Sequence, residues 1–203
     1  SVSACGSLRE AYAPGHVVIP DQIFDFTHKR ERSFFGRGLV AHISVAEPFC
    51  KSLSDVLEEA VKTHNAPYHR GGTYITIEGP RFSTKGESRL YRQWGLDIIG
   101  MTASPEVFLA REAEMCYTTM AHVTDYDVWH ADEAPVTVEM LIKTLSKNVK
   151  LAQDTIRTMV DLIDPQSFCD CKNALGSALT TDPKAIDPKK REEVDLLVRK
   201  YLE

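Results

Sequence analysis

The 203-residue sequence predicts an α/β domain in which helices flank a central mixed β-sheet. Three observations point to it. Short β-branched or apolar runs alternate with helical patterns along the chain. Capping and turn residues mark the boundaries between them. The apolar share, 43%, supports one substantial core in a chain too short to require two domains. Residues 1–203 are therefore expected to form a single domain, with 164–203 as its C-terminal helical tail.

Taken in order, the chain opens inside an element, where Ser3-Ala4-Cys5-Gly6 reads as a turn. His16-Val17-Val18-Ile19-Pro20 and Leu39-Val40-Ala41-His42-Ile43 read as strands. Leu53, Val56, Leu57, Ala60 and Val61 mark one helical face, with Ser52 or Ser54 as its cap. Thr73-Tyr74-Ile75-Thr76-Ile77 is a strand that stops at Glu78-Gly79-Pro80, so 78–83 is a loop. Thr84 and Glu87 then form a capping box that opens a helix ending at Gly95. Asp97-Ile98-Ile99-Gly100-Met101 is the next strand. Ser104-Pro105-Glu106 starts a helix with a cap, a proline at the first helical position and an acid in the first turn.

Cys116 to Val123 reads as a strand broken by the acidic Thr124-Asp125-Tyr126-Asp127. A long helix follows from about Thr137, with Leu141, Leu145, Val149, Ala152, Ile156 and Ile163 on one stripe, and Asp164-Pro165 ends it. The tail is polar and turn-rich until Asp187-Pro188 starts a last helix carrying Val194, Leu197, Val198 and Tyr201.

Composition excludes several function classes. The formal charge is −5 and Lys and Arg are spread among acids, which leaves no basic face for a nucleic-acid backbone. No apolar run approaches the roughly 20 residues that cross a bilayer, and the start SVSACGS has no signal-peptide pattern. A soluble cytoplasmic protein is expected. The seven histidines show no pairing with carboxylates or cysteines at zinc-ligand spacing, so no metal site is expected. The five cysteines, odd in number and scattered, imply thiols rather than a secreted disulfide framework.

Ligands of open α/β sheets bind beyond the carboxyl ends of strands, where the loops Gly79–Ser83, Gly100–Ser104 and Thr124–Trp129 fall. Together they supply an aromatic face in Phe82, a flexible apolar side chain in Met101, a hydroxyl in Thr102 and the carboxylates of Asp125 and Asp127. A purine nucleoside fits that set, since a base offers a π-face for stacking and a polar edge for hydrogen bonding. Trp94 and Trp129 read as packing residues.

The segments Thr76-Ile77-Glu78-Gly79-Pro80-Arg81-Phe82, Gly100-Met101-Thr102-Ala103-Ser104-Pro105-Glu106 and Thr124-Asp125-Tyr126-Asp127, with Ala46-Glu47-Pro48-Phe49-Cys50, closely resemble the motifs of the methylthioadenosine phosphorylase branch of the purine nucleoside phosphorylases. The resemblance runs from Ser1 to about Thr144. It implies a nucleoside phosphorylase-like fold, release of adenine by phosphate, and trimeric or hexameric assembly. Inorganic phosphate would be a co-substrate, and no cofactor is implied.

By that resemblance Phe82 packs against the purine, Met101 borders the ribose and Thr102 binds phosphate, helped by the Ser3 hydroxyl and the Ala4 backbone N–H. Val138, Leu141 and Ile142 match positions lining a 5′-methylthio pocket, although the same trio suits the core side of a long helix. His42 matches a residue that reaches the 5′ end of the substrate from a neighbouring subunit. Asp125 would hydrogen-bond the purine N7, and Asp127 would accept from the 6-amino group or organise the loop. Asp125 acts as a proton donor if burial and the charge of Asp127 hold its pKa well above the ordinary carboxylate range, and otherwise as an ionised acceptor. Relatives that cleave inosine or guanosine carry Asn at the position of Asp125 and Glu at that of Ser83, so both residues here suit a 6-aminopurine.

Cys169-Asp170-Cys171 is similar to Cys-x-Cys pairs of family members from heat-loving organisms, which can be disulfide-bonded; two free thiols are the alternative. The family normally begins with a strand, a Gly-rich phosphate loop and an Arg-His pair, none of which is in these 203 residues. The resemblance thus implies that the usual N-terminal third precedes Ser1, or that this is a shortened homologue binding nucleoside without cleaving it.

Overall fold

The computed structural model describes residues 1–130, 138–167 and 169–202, except for six side chains of the long helix, at 140, 141, 143, 144, 145 and 147. Seven strands form one mixed sheet: β1 (Val2–Ser7), β2 (Val17–Ile19), β3 (Gln22–Phe26), β4 (Tyr68–Arg70), β5 (Thr73–Ile77), β6 (Ile98–Gly100) and β7 (Met120–Asp125), in the order β3-β5-β6-β1-β7-β2-β4. Five helices accompany it among the described residues: α1 (Lys51–Thr63), α2 (Lys85–Gln93), α3 (Ala103–Glu112), α4 (Val138–Leu162) and α5 (Pro188–Val198). The expected α/β class with a mixed central sheet is what forms. None of these helices is long and apolar enough to cross a membrane.

The largest departure from the sequence reading is at the start. Val2–Ser7 is no turn but a central strand, parallel to β7 and antiparallel to β6. Its Ser, Ala, Cys and Gly residues have little strand preference of their own. Pairing on both sides supplies the order that local propensity does not. Strands β3 and β4 were likewise absent from the sequence pattern. Leu39–Ile43, expected as a strand, makes only one bridge, Ala41 to Leu179. The backbone of this run turns to the tail instead: the His42 amide donates to the Ala178 carbonyl at 2.8 Å and the Thr180 amide to the Val40 carbonyl at 3.0 Å. Leu39 is buried with Phe35, Leu175, Ile186, Val194, Val198 and Leu202 in a separate apolar cluster that seats the tail.

Several boundaries also shift. The strand expected over 116–123 runs Met120–Asp125, so Thr124 and Asp125 end it rather than break it. The cap of α1 is Cys50, not Ser52 or Ser54; Ser54 is buried inside the helix with its hydroxyl 2.7 Å from that of Thr118. In α3 the backbone of Ser104 is extended (φ −99°, ψ 138°), as a cap before Pro105 should be, but its hydroxyl makes no capping bond. Of the expected stripe, Val149 and Ile156 in α4 and Ile163 just past its end are exposed, and among the described side chains the buried side of α4 is carried by Ala152 and Thr155. Thr137 and the side chains of Leu141 and Leu145 lie outside the described residues. At Cys169 and Cys171 the structure has thiols, with the Cys169 sulfur 3.2 Å from that of Cys116 rather than bonded to Cys171.

The capping box of α2 forms as expected. The Thr84 hydroxyl accepts from the Glu87 amide at 3.2 Å and the Glu87 carboxylate from the Thr84 amide at 2.7 Å. Thr84→Ala should cost about 1 kcal/mol in urea unfolding. A change within error would show that tertiary packing alone fixes this helix end.

Candidate functional site

Strand directions decide what meets here. Strands β5 and β6 are parallel, so Ile77 and Gly100 close them at the same edge. Because β1 runs antiparallel to β6, that edge faces the early residues of β1, Ser3 to Cys5. Because β1 and β7 are parallel, Gly6 sits opposite Asp125, just past an irregularity in the register between Cys5 and Gly6. A pocket of about 640 Å³, counted to its open mouth, results. It is lined by Ala4, Gly6, Phe82, Ser83, Met101 and Thr102, and by the carboxylate-bearing Asp125 and Asp127.

At one end stand the two carboxylates. Asp125 Oδ2 accepts from the Thr124 hydroxyl at 2.6 Å, and Oδ1 from the Asp127 amide at 2.7 Å. Burial raises the pKa of Asp125, and the charge of Asp127 adds to the rise, against the lowering by those two donors. Burial likewise raises Asp127, which turns the chain with φ 51°. Its Oδ2 and the Ser83 hydroxyl make no hydrogen bond of good geometry, although the Ser88 and Ser83 hydroxyls lie near enough to the carboxyl to oppose the rise. Such atoms are costly to leave unsatisfied, and they offer an acceptor and a donor for the edge of a ligand. Trp129 fixes the loop that follows, donating from Nε1 to the Ser7 carbonyl at 2.7 Å with the Arg92 guanidinium 3.3 Å above its ring.

At the other end are hydroxyls. Ser3 Oγ lies 2.7 Å from Thr102 Oγ1 and 2.9 Å from the Tyr74 hydroxyl, so two of the three expected phosphate contacts form one cluster. Burial pushes the Tyr74 phenol up to about 12, which keeps it neutral. Thr102 lies just ahead of α3, whose backbone becomes helical only after the extended Ser104, and the Ser104 amide already donates to Thr76 Oγ1 at 3.3 Å. Among the described residues, no Lys or Arg lines the pocket.

The middle depends on close approaches. A Cβ at Gly6 would sit 2.9 Å from Asp125 Oδ1 and 3.1 Å from Ile99, and one at Gly79 would sit 2.6 Å from the Met101 sulfur. Gly6→Ala should therefore displace Asp125, lowering stability by about 1–3 kcal/mol and turnover with it. Unchanged kinetics would show that the Asp125 position does not matter.

Of the site residues named from sequence, the structure gathers Ala4, Phe82, Met101, Thr102, Asp125 and Asp127 in this pocket, with Ser3 directly behind it. Val138 and Ile142 are 62% and 56% exposed on the first turns of α4 and do not line it. The Leu141 side chain lies outside the described residues. His42 is exposed on the segment that pairs with the tail.

Sequence reasoning missed Arg30. Its guanidinium donates to the carbonyls of Met101 at 2.7 Å and Ser104 at 2.5 Å, and to those of Glu78 at 2.9 Å and Ile77 at 3.3 Å. Glu78 fixes it in turn with a 3.2 Å ion pair. Backbone N–H bonds from His28 and Lys29 hold Glu78 down to about 2, so it is charged at any ordinary pH. One side chain thus ties together the loops that carry Phe82 and Met101.

Comparison with known proteins matches residues 1–161 to the Phosphorylase superfamily. The S-methyl-5′-thioadenosine phosphorylase of Geobacter sulfurreducens is 49% identical over 203 residues, covering all of this chain and 71% of the relative. That of Chloroflexus aurantiacus is 50% identical, covering 99% of this chain and 70% of the relative. Among solved structures, a methylthioadenosine phosphorylase from an antarctic soil metagenomic library aligns with a TM-score of 0.91 at 44% identity, over 97% of this chain and 70% of that one. The Schistosoma mansoni methylthioadenosine phosphorylase in complex with adenine aligns with a TM-score of 0.81 at 34% identity, over 87% and 68%. With this sheet, these three loops and this likeness, the chain belongs to the S-methyl-5′-thioadenosine phosphorylase family of the phosphorylase superfamily.

Proposed function

We propose that this pocket serves phosphorolysis of 5′-methylthioadenosine to adenine and 5-methylthioribose 1-phosphate, a pentosyl transfer to inorganic phosphate. The observation that carries the reading is one pocket with two buried carboxylates at one end and a pair of hydroxyls at the other. Adenine lies against Phe82, its N7 toward Asp125 and its 6-amino group toward Oδ2 of Asp127. Ribose sits over Met101, and phosphate meets Thr102, Ser3 and the Ala4 N–H.

A phosphate oxygen forms the new bond at C1′ as the C1′–N9 bond breaks and its electron pair passes to the purine. Asp125 delivers its proton to N7 as that charge develops. Burial favours the protonated carboxyl for this task, and the Thr124 and Asp127 donors aim it. The exposed Val138 and Ile142, with Leu141, cover the 5′-methylthio group, and the exposed His42 reaches the site of a neighbouring copy. Both uses of exposed residues support a homo-trimer or hexamer. Composition supports a cytoplasmic setting, and no cofactor is required.

A second reading, a nucleoside-binding protein without phosphorolysis, is favoured by the lack of a basic side chain among the described residues lining the pocket. Phosphate-dependent adenine release and 5′-methylthioadenosine binding, measured on one sample, separate the two. Release that requires phosphate supports phosphorolysis. Binding with no release at any phosphate concentration supports the second reading and overturns the first.

A further inference from the structure

Away from the pocket, four cysteines converge from three distant parts of the chain. Cys50 caps α1, Cys116 lies between α3 and β7, and Cys169 and Cys171 lie in the tail. Their four sulfurs are all within 4.8 Å of one another. From this geometry we propose a structural site for one zinc ion, or another soft divalent cation of tetrahedral preference, held by four thiolates.

The dimensions are near those required. Zinc–sulfur bonds of about 2.3 Å in a tetrahedron place the sulfurs about 3.8 Å apart, so the wider pairs, at up to 4.8 Å, must close and the Cys116–Cys169 pair, at 3.2 Å, must open slightly. Two disulfides need pairwise approach alone, whereas here each sulfur is near the other three. The surroundings also suit an anionic centre. The Arg111 guanidinium donates to the Cys171 sulfur at 3.4 Å, and also bonds the Glu47 carbonyl just ahead of Cys50. Cys50 stands at the N-terminus of the 13-residue α1. Cys50 and Cys171 are 3% and 4% exposed, so the centre is closed from the inner side, as a structural rather than a catalytic zinc requires. None of the four lines the nucleoside pocket.

The ion would fasten the tail to the sheet domain. Only a few polar links do so nearby: Glu114 accepts from the Leu175 amide at 2.9 Å and the Tyr201 hydroxyl at 2.5 Å, and pairs with Lys200 at 2.5 Å. A metal bonded to Cys169 and Cys171 on one side and to Cys50 and Cys116 on the other makes that junction covalent in character.

Metal analysis of the purified protein should find one zinc per chain, released by a thiol-reactive mercurial. After exchange with cobalt(II), the strong visible bands of tetrahedral tetrathiolate cobalt should appear. Cys171→Ser should lose the metal, Arg111→Ala should weaken it about tenfold or more, and Cys5→Ser, whose sulfur lies outside the cluster, should retain it. Cobalt spectroscopy on the unaltered protein keeps the test decisive if a variant fails to fold. The proposal is overturned by metal-free protein that gives no thiolate–cobalt bands, by an intact mass showing two disulfides, or by full metal retention in Cys171→Ser.

Discussion

Asp125→Asn should lower kcat for 5′-methylthioadenosine by about 10²–10³-fold with little change in KM, because the lost proton transfer belongs to the transition state. An amide keeps the size of the carboxylate and can still bond Thr124, so binding of the ground state survives. The same variant should be more stable than the parent at neutral pH. Burial raises the folded-state pKa of Asp125 above its ordinary 3.8. Its contribution to stability is thus fully present below that ordinary value and is lost as the pH rises through the folded one. The Tm advantage of the variant should be largest near neutrality and fade as the pH falls into the carboxylate range. Turnover equal to that of the parent, with the same pH profile, would remove Asp125 from the chemistry.

Arg30→Ala should reduce kcat/KM by about 10²-fold although Arg30 does not line the pocket. Four carbonyls at the end of β5 and in the segments that follow β5 and β6 lose a shared cationic donor, and Glu78 loses its ion-pair partner. The stability cost should be on the order of 3 kcal/mol, since bonds to a charged donor are among the stronger ones. Arg30→Lys should rescue little, because an ammonium cannot fork across two loops. Steady-state kinetics with urea unfolding checks both parts. Loss of stability with intact kinetics would make Arg30 a fold residue only.

The loops after β5, β6 and β7 were legible in the sequence because they carry local signals: Gly-Pro after an apolar run, Ser-Pro-Glu before a helix, two acids at a strand end. The resemblance then gave Phe82, Met101, Thr102 and Asp125 their roles. What escaped notice has no local signal. Strand β1 must be small where it floors the pocket, as the 2.9 Å approach at Gly6 requires, and small residues do not look like a strand. Arg30 sits in Lys29-Arg30-Glu31-Arg32, which reads as solvated charge. The apolar Leu39–Ile43 run looked like sheet because packing against a helical tail asks for the same residues. On α4 and just past its end, the exposed Val149, Ile156 and Ile163 do not follow the rule that an apolar stripe faces the core of its own chain. The cysteine cluster is assembled from segments more than fifty residues apart, beyond the reach of spacing rules.

The proposed action of Asp125 on N7 of a bound adenine is tested most directly by comparing phosphorolysis of 5′-methylthioadenosine with that of its 7-deaza analogue, in the parent and in Asp125→Asn. The analogue has no nitrogen at position 7 to receive the proton. If Asp125 serves N7, each change alone lowers kcat by about 10²-fold or more, and the two together lower it little further. Losses that multiply independently would contradict the assignment.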